Sequence, residues 1–193
     1  MCEKIVSAKV TAVIVTYQSA DTLNALFGAA RRCKAANVLD FIFVDNCSTD
    51  ATPQILARQT EWADVLMTGV NNGFGRGCNI GLAKVKTPYT LFLNPDAQIE
   101  PEAVETMVAF MDAHPLVGIV GPATQVEDQH AYQATSSLPT PWSVFRASIP
   151  LLKSAGDAQP ILPGSEPFQT GWVCGAVLMI RTDLARQLGG FDP

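Results

Sequence analysis

The sequence predicts a doubly wound α/β domain, a mostly parallel sheet with helices on both faces. Three observations predict it. Short, uniformly apolar, β-branched runs recur along the chain, as strands buried on both faces require. Segments with helical spacing separate them. The apolar runs end abruptly on polar residues, at Thr16-Tyr17, Asp45-Asn46 and Asn94-Pro95-Asp96. The chain has 193 residues, 48% hydrophobic and 16% charged, enough for a full core, since a domain of this size buries about 70% of its extended-chain surface.

Val10 to Val15 is the first strand. After the polar turn Gln18-Ser19-Ala20, Asp21 is expected to cap a helix whose Leu23, Leu26, Phe27, Ala30 and Cys33 keep helical spacing. Phe41 to Val44 forms the second strand. Thr52-Pro53 reads as an N-cap with proline at the first helical position, opening a short helix to about Gln59. Val65 to Met67 is a weaker third strand, and the glycine-rich Asn71 to Gly77 leads into a helix expected over Cys78 to Val85. Tyr89 to Leu93 is a strong fourth strand. Pro101 starts a helix with Val104, Met107, Val108 and Met111 on one face, stopped at His114-Pro115 because the residue before proline is pushed out of helical geometry. Val117 to Val120 reads as a strand. From Thr124 to Phe168 six prolines crowd a loose excursion, with one short helix expected over Trp142 to Leu152. Order returns with a strand from Gly171 to Ile180 and a short helix from Thr182 to Leu188. The whole chain, residues 1–193, reads as one domain carrying that excursion over 124–168.

Charge narrows the function. Thirteen Lys and Arg against 18 Asp and Glu give a formal charge of −5, the wrong sign for a domain that neutralises nucleic-acid phosphates, so no nucleic-acid partner is expected. The five cysteines never form a C-x-x-C pair, which argues against a disulfide framework or zinc site and for a cytoplasmic protein. No apolar run approaches the roughly 20 residues of a membrane span; peripheral contact with the inner face of the membrane stays open.

In open α/β sheets ligands bind outside the carboxyl ends of the strands. Asp45 there is a carboxylate for a ribose hydroxyl or a base N–H, or else a turn aspartate. Asp50 is read as a helix cap. The segment Asn71 to Gly77 fails the dinucleotide pattern G-x-G-x-x-G, because positions 78 and 80 are cysteine and isoleucine, and Gly-Lys-Ser/Thr is absent. It is either a loop for close backbone approach, with Arg76 offsetting phosphate charge, or a flexible turn. Asp96 could hold a hard divalent cation that also binds a diphosphate, or could belong to a proline turn. With no G-x-S-x-G elbow, a nucleophilic triad has no support, and His114 and His130 read as surface residues.

Taken in order, Val13 to Tyr17, Val44 to Asp50, Asn71 to Gly75 with Cys78, Asn79 and Gly81, Leu93 to Ala97, His114 to Pro122, and Gly189 to Asp192 resemble the family 2 glycosyltransferases of GT-A fold, especially their rhamnosyltransferase-like branch. The resemblance implies a nucleotide-diphospho-sugar donor, inversion at the anomeric carbon, and Mg²⁺ or Mn²⁺. By position, Thr16, Tyr17 and Asp45 would bind base and ribose. Asn72, Gly73, Phe74 and Asn79 would line the donor site, and Asn94 and Asp96 would stand for the family's D-x-D, with Asp96 as the metal ligand. Trp172, Cys174 and Gly175 would lie on the acceptor side, a buried strand being the other reading. The acceptor would be a saccharide or a lipid-linked sugar. The family's general base falls in an acidic motif beyond Gly189 to Asp192. The sequence-based expectation is therefore a C-terminally truncated transferase with impaired transfer, its catalytic base unknown, or alternatively a non-catalytic nucleotide-sugar-binding module. A sugar nucleotidyltransferase is disfavoured, because the turn Tyr17 to Asp21 is neither glycine-rich nor basic.

Overall fold

The computed structural model describes residues 8–123 and 166–192. Residues 1–120 with 175–193 form one compact unit and 121–174 a second. In the second unit the described residues, 121–123 and 166–174, contain no helix or strand. The helix expected over 142–152, His130 and most of the proline-rich excursion lie outside the described residues.

The first unit is built on β1 (Val10–Thr16), α1 (Ala20–Ala35), β2 (Leu39–Asp45), α2 (Thr52–Ala57), β3 (Asp64–Met67), α3 (Phe74–Leu82), β4 (Tyr89–Leu93), α4 (Pro101–Ala113), β5 (Ile119–Val120), β6 (Val177–Arg181) and α5 (Thr182–Gln187). The sheet order is β3-β2-β1-β4-β6-β5. β3, β2, β1 and β4 run parallel, and β6 runs antiparallel to both β4 and β5. This is the predicted mostly parallel sheet.

Alternation along the buried strands builds two core layers. Val10, Ala12 and Ile14 join Leu23, Leu26, Leu56, Val104 and Met111 on the face covered by α1, α2 and α4. Val13 and Val15 join Ile42, Val44, Cys78, Leu82 and Ala185 on the face covered by α3 and α5. In the first layer the Phe27 and Phe43 rings meet edge to face at 5.7 Å, and Trp62 stands edge to face against Phe41 at 5.4 Å. Phe43 is fully buried; truncation of such a ring to alanine costs about 3–5 kcal/mol.

Several local expectations are corrected. α3 begins at Phe74, four residues before the expected start, with Gly75 and Gly77 inside it. Its close seating explains why: a Cβ at Gly77 would stand 2.8 Å from Val15 Cγ1, and one at Gly81 only 2.3 Å from Val13 Cγ1. Packing of the helix against β1 outweighs poor helix propensity. Asp21 is exposed in the first turn of α1 and is not its cap. The Asp50 carboxylate instead accepts the Ala20 N–H at 3.2 Å. Thr52 is the first residue of α2 and not its N-cap; its N–H donates to Asp50 Oδ1 at 3.0 Å. Of the strand expected over Gly171 to Ile180, only Val177 onward pairs. β4 ends at Leu93, Asn94 N–H donates to Ala176 O, and Pro95 has no N–H to continue a ladder. β5 is limited to two residues, while the preceding Val117 carbonyl accepts from Arg181 Nε at 2.9 Å. His114 is exposed, as expected.

Candidate active site

The parallel pairing of β1 and β2 sets Thr16 opposite Asp45. Thr16 is fully buried and Asp45 is 2% exposed. Asp45 Oδ1 accepts from Thr16 Oγ1 at 3.1 Å and from Ser48 Oγ at 2.6 Å, and Oδ2 accepts the Ser48 N–H at 3.0 Å. The carboxylate therefore organises the turn after β2. A carboxylate has about four acceptor positions, so one on Oδ2 remains for a further donor.

Gln18 braces the two loops that follow β1 and β2. Its N–H donates to Ser48 Oγ, its Nε2 to Thr49 Oγ1, and its Oε1 accepts from the N–H groups of Thr49 and Asp50. Ser19 N–H donates to Thr52 Oγ1 at 2.9 Å. Asp50 closes the brace by serving the first turns of both α1 and α2. Desolvation pushes its carboxyl up, but the bonds from Thr52 and Ala20 outweigh this and hold it below the ordinary aspartate value.

Asn46, 2% exposed, ties this region to the glycine segment. Its Nδ2 donates to Asn71 Oδ1 at 2.9 Å and to Gly73 O at 3.1 Å, while its Oδ1 accepts the Asn72 N–H at 2.9 Å. Sequence reasoning gave Asn46 no role. Its position immediately after Asp45, where an apolar run stops, was the available signal.

These loops and the end of β4 enclose a cavity of about 550 Å³ at the carboxyl edge of the sheet. Of the residues singled out in the sequence, Tyr17, Gly73, Phe74, Asn94 and Asp96 line it, and Gln18, Asn46, Asn71, Ser19, Thr22 and Pro95 join them. Tyr17 is 50% and Phe74 45% exposed. Thr16 and Asp45 sit behind the lining, and Asn72 and Asn79 are not part of it. The Asn72 side chain donates to Val70 O, and the Asn79 amide is engaged by Phe191. Arg76 is exposed on α3 and does not line the cavity. Gly175 precedes β6, and no described residue lies within 4 Å of where a Cβ would stand. Trp172 and Cys174 belong to the second unit. A smaller cavity of about 300 Å³ lies at the opposite edge, beside Thr11, Asp40 and Lys86, away from the strand ends where ligands of such sheets bind.

Among the described residues Asp96 is the only charged one lining the larger cavity. Its side chain is exposed and accepts no hydrogen bond among the described residues. Those residues contain no cluster of three or more His, Cys, Asp or Glu side chains able to hold a metal unaided. One free carboxylate among otherwise uncharged described lining residues fits a hard cation whose remaining positions are filled by phosphate oxygens and water.

The family model described as "Glycosyl transferase family 2" matches residues 11–186. The chain belongs to this family. It is 25% identical over 201 residues to the N-acetylglucosaminyl-diphospho-decaprenol L-rhamnosyltransferase of Mycobacterium tuberculosis, an alignment covering 93% of this chain and 64% of that protein. Among solved structures, the mannosyltransferase PcManGT of Pyrobaculum calidifontis, in complex with GDP-Man and Mn²⁺, superposes with a TM-score of 0.64 at 17% identity, covering 96% of this chain and 48% of that one. Staphylococcus aureus TarS 1–349 in complex with UDP-GlcNAc gives a TM-score of 0.59 at 18% identity, covering 96% and 48%. The fold of this family 2 member is therefore GT-A, and the chain spans about half the length of the solved structures it matches. Among the described residues no helix is long and apolar enough to cross a membrane.

Proposed function

We propose that the cavity binds a nucleoside-diphosphate sugar and that the chain acts in inverting transfer of that sugar to a saccharide or lipid-linked acceptor. The observation that carries this reading is the grouping of Tyr17, Asn94 and Asp96 around one cavity, with the Thr16–Asp45 pair beneath it, at the strand ends of a family 2 fold. Tyr17 offers an exposed aromatic face to a base. Asp45, behind the lining, fixes the turn after β2 through Thr16 and Ser48 and so shapes the floor on which base and ribose would rest. Among the described lining residues no cation offsets a diphosphate, and Asp96 would hold Mg²⁺ or Mn²⁺ against it. When bound, the cation supplies charge neutralisation at the departing phosphate oxygens. Asn94 and the rim positions hold the donor in line for attack, which converts lost rotational freedom into rate.

The solved relatives with GDP-Man and UDP-GlcNAc support a sugar-nucleotide ligand, and the mycobacterial relative supports rhamnose and a lipid-linked acceptor as first choices. Assignment of Trp172, Cys174 and Gly175 to the acceptor rests on the sequence resemblance alone. One observation favours a second reading, a nucleotide-sugar-binding module without transfer: among the described residues Asp96 is the sole carboxylate of the lining, and committed to a cation it cannot also take the acceptor's proton.

Calorimetric titration of dTDP, UDP and GDP with and without Mn²⁺ tests binding, and no heat with any of them rejects both readings. Incubation with sugar nucleotides of the base that binds then separates them. Release of free nucleoside diphosphate supports the transferase, and tight binding without release supports the module.

A further inference from the structure

The motif that holds Asn79 leads one to expect it in the donor lining, yet its side chain is used elsewhere. Its Nδ2 donates to the Phe191 carbonyl at 2.8 Å, and its Oδ1 accepts the Phe191 N–H at 2.8 Å. The amide thus pairs with both backbone groups of one residue. Gly190 makes the approach feasible: its φ is +79°, and a Cβ there would stand 2.1 Å from Asn79 Oδ1. Held in this way, the Phe191 ring meets Phe92 edge to face at 4.8 Å and Phe74 at 6.0 Å. Phe92 is buried in the core, whereas Phe74 is a half-exposed wall of the candidate cavity. A continuous line of contact runs from the Asn79 amide through Phe191 to the cavity wall.

We propose that Asn79 is a positioning residue for the nucleotide cavity, fixing the Phe74 wall through Phe191 without touching the bound molecule. This deepens the reading of the cavity as a nucleoside-diphosphate site and rests on it. Phe74 is open to solvent on the cavity side, so the Phe191 ring is a support that limits its rotamers from the protein side. With that support released, binding must order the wall itself, and an edge-to-face ring pair corresponds to roughly two- to tenfold in affinity.

The test is calorimetry with GDP, UDP and dTDP, each with Mn²⁺, at a temperature where every variant is folded. The unsubstituted chain is compared with Asn79→Ala, Phe191→Leu, Phe74→Ala and the Asn79→Ala/Phe74→Ala double variant. Asn79→Ala should weaken the nucleotide that binds by about three- to tenfold, and by less than about twofold in the Phe74→Ala background, where the transmitting ring is gone. Phe191→Leu retains the backbone bonds to Asn79 and should reproduce the loss, which keeps the proposal testable should Asn79→Ala fail to fold. Unchanged affinity in Phe191→Leu overturns the proposal. Equal loss with and without Phe74 also overturns it, because Asn79 would then act on the ligand directly. A purely structural role would lower the thermal midpoint of Asn79→Ala and leave affinity unmoved. Absence of heat from the unsubstituted chain with all three nucleotides is a separate failure, that of the nucleotide reading itself.

Discussion

Replacing Gly81 with alanine tests the seating of α3 on the sheet. An added Cβ would lie 2.3 Å from Val13 Cγ1 and 3.2 Å from Val44 Cγ2. Val13 is 1% exposed and Val44 fully buried, so neither can swing into solvent. Overpacking of this kind costs about 1–3 kcal/mol, while alanine returns about 0.5–1 kcal/mol of helix propensity. The 2.3 Å approach places the cost at the upper end of that range, about 2–3 kcal/mol, so the expected net loss is about 1–2.5 kcal/mol, or roughly 2–10 °C in thermal midpoint for a chain of this size. Gly28 supplies the control within the same domain. It is exposed in α1, and a Cβ there meets only Arg32 Nη1, at 3.8 Å. Gly28→Ala should therefore stabilise by about 0.5–1 kcal/mol, the propensity gain alone. Urea midpoints of both variants measure the difference. A Gly81→Ala protein as stable as its parent, or a shift in the same direction for both, would refute the close approach of α3 to β1.

Three further outcomes follow from the site and the core. Asp96→Ala should bring the nucleotide affinities measured with and without Mn²⁺ together while leaving metal-free binding nearly unchanged, as titration would show. Asn46→Ala leaves the Asn72 N–H without its partner, a loss of about 1–3 kcal/mol, and should weaken nucleotide binding because Gly73 is no longer tied to β2. Burial pushes the Cys33 thiol up to about 11 and the Cys78 thiol up to about 12. Both folded values lie above the ordinary 9.0, so the folded state disfavours the thiolate. Stability is intact below that ordinary value and falls as the pH rises from about 9. Denaturant midpoints between pH 8 and 11 should show the decline, and Cys33→Ser/Cys78→Ser should flatten it. A thiol reagent at neutral pH should modify half-buried Cys47 well before either.

The sheet was legible because its central strands are buried along nearly their whole lengths, with half-buried Asp40 of β2 as the exception. β1, β2 and β4 could thus be read from unbroken apolar runs, and the site rule then located Tyr17 and Asp96 at one edge. Misread features depended on partners far away in sequence. Asp21 stands at a capping position by local pattern, but the α1 N-terminus is served by Asp50 across 30 residues of chain. The glycines of α3 read as a loop because propensity favours one, whereas Val13 and Val15 on β1 require small residues opposite them. Asn79 is expected in the donor lining from its motif, yet its partner is the Phe191 backbone, which no local pattern could reveal.

The hydrogen bonds of Gln18, Ser19 and Ala20 to residues 48–52 bear on how this edge can change. Six bonds join the two segments, and they involve backbone N–H groups on both sides. Surface loops ordinarily tolerate added residues, but here one insertion in either loop would shift every donor past its acceptor. The pair is a single mechanical part with a fixed length. Grafting a new specificity onto this rim would have to replace both loops together, or else work from the β3–α3 segment and the end of β4, which stand outside the brace.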